Sequence, residues 1–342
     1  MITWFRRTRQ RFVFLLVVTP VLAAGIAADR PKYQLKIAVQ APERSVWGKT
    51  LKSISREIAE KSNGEVKLKA YWSGAQGNER TLLRKMRVGQ LQGASLIGEG
   101  AVDVCPASLV LHLPLLFDNE DEADYVLQRI RSRLEDQCRA RGYEVVGWAQ
   151  MGFSYLFSKD PVRDLATLRK AKPWLIESDP LSRAFYDVLG VTPVSTGAAN
   201  VLPGLQSGLI RTVASPPVGL VAMQWHSRIK YRVDARITYT SGILVLSRKS
   251  WGRLPATLQS TVRDTFEKQL AELNRKIRQQ NRDALKEIEK RGVETIRPDA
   301  EDRATLVKAS EEVGQRLVGE YFSQATLDRV HELRTQYRRS RK

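Results

Sequence analysis

Tyr33 to Ala41 reads YQLKIAVQA, Val66 to Tyr71 reads VKLKAY, and between them Val46 to Ser62 repeats its apolar residues every three or four positions. The outer stretches alternate apolar and polar side chains, the period of half-buried strands. The middle one has the helical period, and Asn63-Gly64 stops it. Beyond the second strand, Ser73-Gly74-Ala75-Gln76-Gly77 reads as a loop and Glu79 to Val88 as a helix ending at Gly89. Strand, helix, strand, helix in that order predicts an α/β fold, with a parallel or mixed sheet covered by helices on both faces.

The rest of the chain extends the pattern. Leu91 to Leu96 and Val102 to Val110 continue the alternation, and Glu120 to Arg141 is a charged helix with Leu127, Ile130, Leu134 and Cys138 on one face. Glu144 to Ala149 and Ser154 to Ser158 read as two strands. A second run opens near Pro161, with short strands at Lys172 to Ile176 and Thr192 to Val194 around a helix at Leu181 to Leu189. Asn200 to Ser207 is a turn of helix, and Thr212 to Ser215 and Ile237 to Leu246 are strands. From Pro255 to Gly292 the apolar residues Leu258, Val262, Phe266, Leu270, Leu273 and Ile277 keep helical spacing. A helix of about 36 residues reaches about 54 Å, longer than one domain is wide, so it is expected to lie across two.

The first 28 residues read as a secretory leader. Arg6, Arg7, Arg9 and Arg11 precede an apolar run from Phe12 to Leu22, and small residues suited to cleavage near Ala27 or Ala28 follow. The run is too short to span a bilayer, which takes roughly 20 residues. This predicts a mature protein of the periplasm. About 314 residues then remain, enough for two α/β domains.

The formal charge is +19. Lys and Arg are spread along amphipathic segments rather than clustered beside exposed aromatics, which argues against nucleic acid and suits weak contact with an anionic membrane surface. Cys105 and Cys138 are the only cysteines. In an oxidising compartment they read first as one disulfide, closing a loop of about 33 residues and contributing about 3 kcal/mol; the alternative is two buried free thiols. His112, His226 and His331 are isolated and no CxxC occurs, so neither metal nor cofactor is expected.

Four stretches, in this order and spacing, resemble the solute receptors of tripartite ATP-independent periplasmic (TRAP) transporters, of the dicarboxylate-binding-receptor (DctP) type. They are Glu60 to Val66 (EKSNGEV), Leu113 to Phe117 (LPLLF), Leu205 to Ile210 (LQSGLI) and Ser247 to Pro255 (SRKSWGRLP). The resemblance spans roughly residues 33 to 320. It implies a two-lobed, type II-like periplasmic binding protein whose long C-terminal helix spans both lobes. The lobes would be 29–155 and 156–238, with 239–342 supplying a return strand, the long helix and C-terminal helices packed on both. It also implies that one small solute is trapped between the lobes and handed to membrane permease subunits. No chemistry is required, and the chain offers no Ser/His/Asp order, no paired cleft carboxylates and no phosphate-cradling loop, so an enzyme is not expected.

The cleft departs from the family pattern. The family's carboxylate-binding arginine falls, by alignment, at Trp174, with Pro173 and Leu175 beside it, so the bidentate clamp is missing. Asn200 stands where a glutamate is common, Ser215 where an asparagine is common, and Gln92 where an aspartate is usual. Three readings follow. One keeps an acid solute with a replacement cation, from Arg211, Arg183, Arg80 or Lys159. Another places an apolar, aromatic or lipid-like solute against Trp174. The third is an envelope interaction protein that keeps the receptor fold without transport. Topology adds Gln40, Trp72 and Gln76 as crevice residues, since they follow strand ends. Phe117 is a further candidate for the cleft lining, while Trp148 and Trp251 are expected in the core and Trp225 in a structural role.

Overall fold

The first helix, α1 (Val46–Lys61), starts where the Ser45 hydroxyl accepts from the Gly48 amide at 3.2 Å and stops where Asn63 and Gly64 turn left-handed, with φ of 47° and 81°. It buries Leu51, Ile54 and Ile58, the face that its spacing predicts. The computed structural model describes residues 31–177 and 179–341, so the expected leader lies outside the described residues. Its strands are β1 (Tyr33–Ala38), β2 (Val66–Tyr71), β3 (Gly93–Leu96), β4 (Tyr143–Ser158), β5 (Trp174–Leu175), β6 (Val194–Ser195), β7 (Thr212–Ser215), β8 (Tyr231–Val233), β9 (Thr238–Ser247) and β10 (Glu294–Ile296). The further helices are α2 (Glu79–Arg87), α3 (Glu99–Val104), α4 (Glu120–Ala140), α5 (Leu165–Lys170), α6 (Pro180–Leu189), α7 (Val201–Ser207), α8 (Pro217–Ala222), α9 (Arg248–Trp251), α10 (Ala256–Lys290), α11 (Ala300–Arg316) and α12 (Gln324–Arg339).

The sheet is mixed. Its order is β10-β8-β4-β9-β3-β1-β2, with β7 also paired to β4, and β5 and β6 form a separate parallel pair. β1 runs parallel to β2 (Tyr33 opposite Val66) and to β3 (Ile37 opposite Gly93), whereas β9 is antiparallel to both β3 and β4.

β4 organises the molecule. From Tyr143 to Ser154 it pairs with β9, and from Tyr155 to Ser158 it pairs with β7. Two strands were expected here and one of 16 residues is found. The register slips between Val145 and Gly147 and again between Gln150 and Gly152, which breaks the side-chain alternation without breaking the strand. Gly152 sits at φ 94°, and a Cβ there would lie 2.5 Å from Asn281 Nδ2; one at Gly147 would lie 2.1 Å from Leu270 Cδ1. Both glycines therefore let α10 lie directly on β4. The strand expected at Lys172 to Ile176 shortens to two residues because Pro173 has no amide to donate and Lys172 is left-handed at φ 41°. Val102 to Val110 falls on the end of α3 and on a 3-10 turn, Pro106–His112.

Two apolar cores flank the sheet. One joins Ile37, Ile54, Ile58, Phe266 and Leu273; the other joins Leu83, Ile130, Leu134, Trp148 and Phe157. Trp148 and Trp251 are both buried. α10 has 35 residues and so runs about 52 Å. The sulfurs of Cys105 and Cys138 are bonded, tying the start of the 3-10 turn to α4.

Candidate functional site

A cavity of about 370 Å³ opens where β4 changes partner from β9 to β7. Strand residues Ser154, Leu156, Ser215, Thr238 and Thr240 line one part of it. Trp174 from β5, Phe185 and Tyr186 from α6, and Trp225 line another. Ile97 and Gly98 after β3, Glu99, Ala101 and Val102 of α3, and Ser108, Leu109 and His112 from the 3-10 turn complete the principal walls.

Trp174 is held rather than loose. Its Nε1 donates to the Thr196 carbonyl at 2.8 Å, and its ring meets Trp225 edge-on, centroids 5.2 Å apart. With the indole nitrogen satisfied, the ring presents apolar surface at little entropic cost. The α6 helix that carries Phe185 and Tyr186 is fixed at its start by Asp179, whose Oδ1 accepts from the amides of Leu181 and Ser182 at 3.1 Å each. Oδ2 accepts from the Ser182 hydroxyl at 2.5 Å.

His112 is the most informative polar group. The Ser241 amide donates to its Nε2 at 3.3 Å, and the Ser241 hydroxyl lies 2.9 Å from the same nitrogen. An amide can only donate, so Nε2 is an acceptor and the proton of the neutral ring sits on Nδ1. Burial pushes the imidazole down to about 4, opposed by the Asp179 carboxylate, so the ring is uncharged at neutral pH. The Tyr186 phenol is pushed above its ordinary range by burial and, secondarily, by Asp179.

Among the described residues, the cavity lining contains neither lysine nor arginine, although the chain has 56 of them. Its charged groups are carboxylates. Glu99 Oε2 lies 3.3 Å from Arg80 Nε, and Asp179 is the helix cap already described. The arginines and lysine considered as replacement clamps are not in the lining. Arg211 is engaged with Asp160 through two contacts of 2.5 and 2.6 Å, Lys159 Nζ donates to the Leu205 carbonyl at 2.9 Å, and Arg183 sits on α6 outside the lining set.

The residues singled out in the sequence fall in several places. Trp174 and Ser215 line the cavity together. Asn200 stands one step behind, its Nδ2 donating at 3.1 Å to the hydroxyl of Thr196, the residue whose carbonyl anchors Trp174. Gln40 donates to the Gly77 carbonyl at 3.0 Å, and Gln76 accepts from Lys85 at 2.8 Å. Trp72 lines a separate depression with Leu51 and Ala70. Phe117 is buried edge-on to Tyr239, centroids 6.3 Å apart. Gln40, Trp72 and Gln76 do follow the ends of β1 and β2, but the cavity takes in only the end of the third parallel strand, β3. His112, Asp179, Tyr186 and Ser154 were not anticipated. Asp179-Pro180 before an apolar run is a helix-start signal that could have located α6 and its cap.

Residues 37–320 match the family described as bacterial extracellular solute-binding protein, family 7 (DctP). The chain belongs to that family. A relative from Verminephrobacter eiseniae, a solute-binding protein, is 22% identical over 299 residues, 86% of this chain and 88% of that protein. The fold is that of TRAP periplasmic solute-binding proteins. One from Desulfovibrio salexigens with bound orotic acid has a TM-score of 0.80 at 19% identity, covering 89% of this chain and 99% of that one. Another, from Xanthobacter autotrophicus with bound β-D-galacturonate, has a TM-score of 0.78 at 20% identity, covering 88% and 99%. The chain shares the two-lobed α/β fold of those structures, and the expected long helix is present as α10.

Proposed function

We propose that this receptor delivers to a TRAP-type membrane permease a small uncharged solute, largely apolar or aromatic, held against Trp174. The observation that carries the reading is the cavity lining, which among the described residues has no cationic side chain and has two indoles, Phe185 and Tyr186. A carboxylate entering this space would lose its water without meeting a counter-charge, a cost of several kcal/mol, and would face Asp179 and Glu99. The bound acids of the two structural neighbours belong to those proteins. An uncharged ring meets no such penalty here, and burial against indole is favourable.

On this reading the lobes are 29–155 and 156–238, with 239–342 completing both. The partner change of β4 at Ser154 and Tyr155 supports the first boundary. The solute bridges the lobes and so stabilises the closed form, with no bond made or broken. The leader is removed near Ala27 or Ala28. The basic surface adds weak attraction to anionic membrane, to be checked by co-sedimentation with phosphatidylserine vesicles at low and high salt.

The test is native mass spectrometry of the mature protein from a periplasmic extract, with the bound compound released on denaturation. A neutral compound retained by the wild type and held about 30-fold more weakly by Trp174→Ala supports the reading. A retained carboxylate overturns it.

A further inference from the structure

We propose that His112 and Tyr186 are a pair of uncharged hydrogen-bond donors that read a carbonyl oxygen, so that the solute class is a small planar ring carrying a neutral carbonyl, such as a lactam, an imide or an aromatic amide. This rests on the uncharged-solute reading above and narrows it.

His112 Nε2 is committed as an acceptor to Ser241, which leaves Nδ1–H as the donor, and among the described residues Nδ1 has no partner. The Tyr186 side chain is 5% exposed and lines the cavity, and its hydroxyl has no partner among the described residues either. Ser154, also 5% exposed and lining the cavity, adds a second hydroxyl, and a third polar group, without a partner among them. These atoms open onto the cavity, and the Trp225 Nε1 in the same lining is buried without a partner, so a solute that fills the space displaces water from polar groups that then need a partner. The unpaired set is therefore completed by the solute.

The character of the set selects the ligand. A plain hydrocarbon would leave these groups unpaired. A carboxylate would find donors, but only neutral ones, in a space that also holds Asp179. Burial keeps the imidazole deprotonated and the phenol protonated, so neither becomes a charged partner near neutral pH. What remains is an uncharged acceptor. The rings of Trp174, Trp225 and Phe185 along the same walls add the preference for a flat, apolar body.

Full-length mature protein, stripped of bound compound by reversible unfolding, is titrated calorimetrically with uracil, nicotinamide and benzamide, and in parallel with orotate, nicotinate and benzoate. At least one neutral member is expected to bind, at least 10-fold tighter than its carboxylate counterpart. Tyr186→Phe, which removes only the hydroxyl, is expected to weaken that binding about 5-fold, and His112→Phe at least 10-fold. His112→Asn, which can present an N–H near the Nδ1 position, is expected to recover to within about 3-fold of wild type. Unchanged binding in Tyr186→Phe and His112→Phe, or no binding of any neutral probe at millimolar concentration, overturns the donor pair and leaves the apolar-solute reading standing. Tighter binding of the carboxylates overturns both.

Discussion

The cavity and the seam where α10 lies on β4 meet the same strand and treat charge in opposite ways. In the seam, Arg278 Nη2 lies 2.6 Å from both Asp124 Oδ2 and Gln150 Oε1, and Arg263 Nη2 lies 2.6 Å from Glu144 Oε1. Nearby, Arg131 bridges Glu135 and Glu267 at 2.6 Å each. Backbone groups freed by the irregular strand are taken up there too. Asn274 accepts from the Gln150 amide at 2.9 Å, and Asn281 donates to the Met151 carbonyl at 2.8 Å while accepting from the Val218 amide at 3.1 Å. In the cavity, the polar groups are neutral or carboxylate and several have no partner among the described residues. The lesson is that Arg131, Arg263 and Arg278 join elements of the fold, each with a carboxylate partner, and that the cavity lining has no arginine among the described residues.

The largest effect is expected from breaking the seam. Arg278→Met leaves Asp124 and Gln150 short of their shared donor and is expected to cost about 3 kcal/mol, a fall in Tm of roughly 5–10 °C by calorimetry. Solute affinity measured well below that Tm should stay within about 2-fold. A large affinity loss with an unchanged Tm would mean that the seam and the cavity are not separable.

Acid sharpens the comparison through two groups, His112 in the cavity and Glu57 on the far side of the long helix. An unfolded histidine protonates near 6.5 and His112 near 4, so the unfolded chain binds more protons across that window. Stability is therefore lost as the pH falls from about 6.5 to about 4, by up to about 3 kcal/mol. Glu57, which joins α1 to α10, is held at about 2, chiefly by Lys61, then Gln269 and Lys268. Its contribution is present above about 4.5 and is lost below that. Urea midpoints measured from pH 8 to pH 3 should fall in two stages. A His112→Asn profile that still falls between pH 6.5 and 4 would assign the first stage elsewhere.

The smallest effect comes from importing a cation into the cavity. Ile176 lines it and is 46% exposed. Ile176→Arg is expected to improve the binding of benzoate about 5-fold, the scale of a solvent-exposed ion pair, without improving benzamide. Equal gains for both would show that contact area, not charge, limits carboxylate binding.

The elements with clean periods were legible in the sequence. β1, α1, β2, α2, α4, β7 and α10 fall within a few residues of their expected limits because one apolar face decides each of them. β4 was not legible as one strand, since slips at Val145 and Gln150 erase the two-residue period. The site divides in the same way. Trp174 could be reached because it replaces a residue type that alignment expects. His112 and Tyr186 could not, because each sits in an apolar run and reads as core; only the meeting of the 3-10 turn, α6 and β9 gives them a shared space. Gln40, Trp72 and Gln76 were drawn from a rule about strand ends that does not say which of three parallel strands borders the ligand.

Gly147 and Gly152 have a consequence for how such a receptor diversifies. A change at Leu156 or Ser215 alters one wall and can be tried singly. A side chain at Gly147 forces Leu270 on the long helix to move, and one at Gly152 meets Asn281 and is strained by the φ of 94° besides, so either replacement disturbs the seam as well as the strand. Descendants of this chain should accordingly wander in what they carry long before they wander in how their halves are joined.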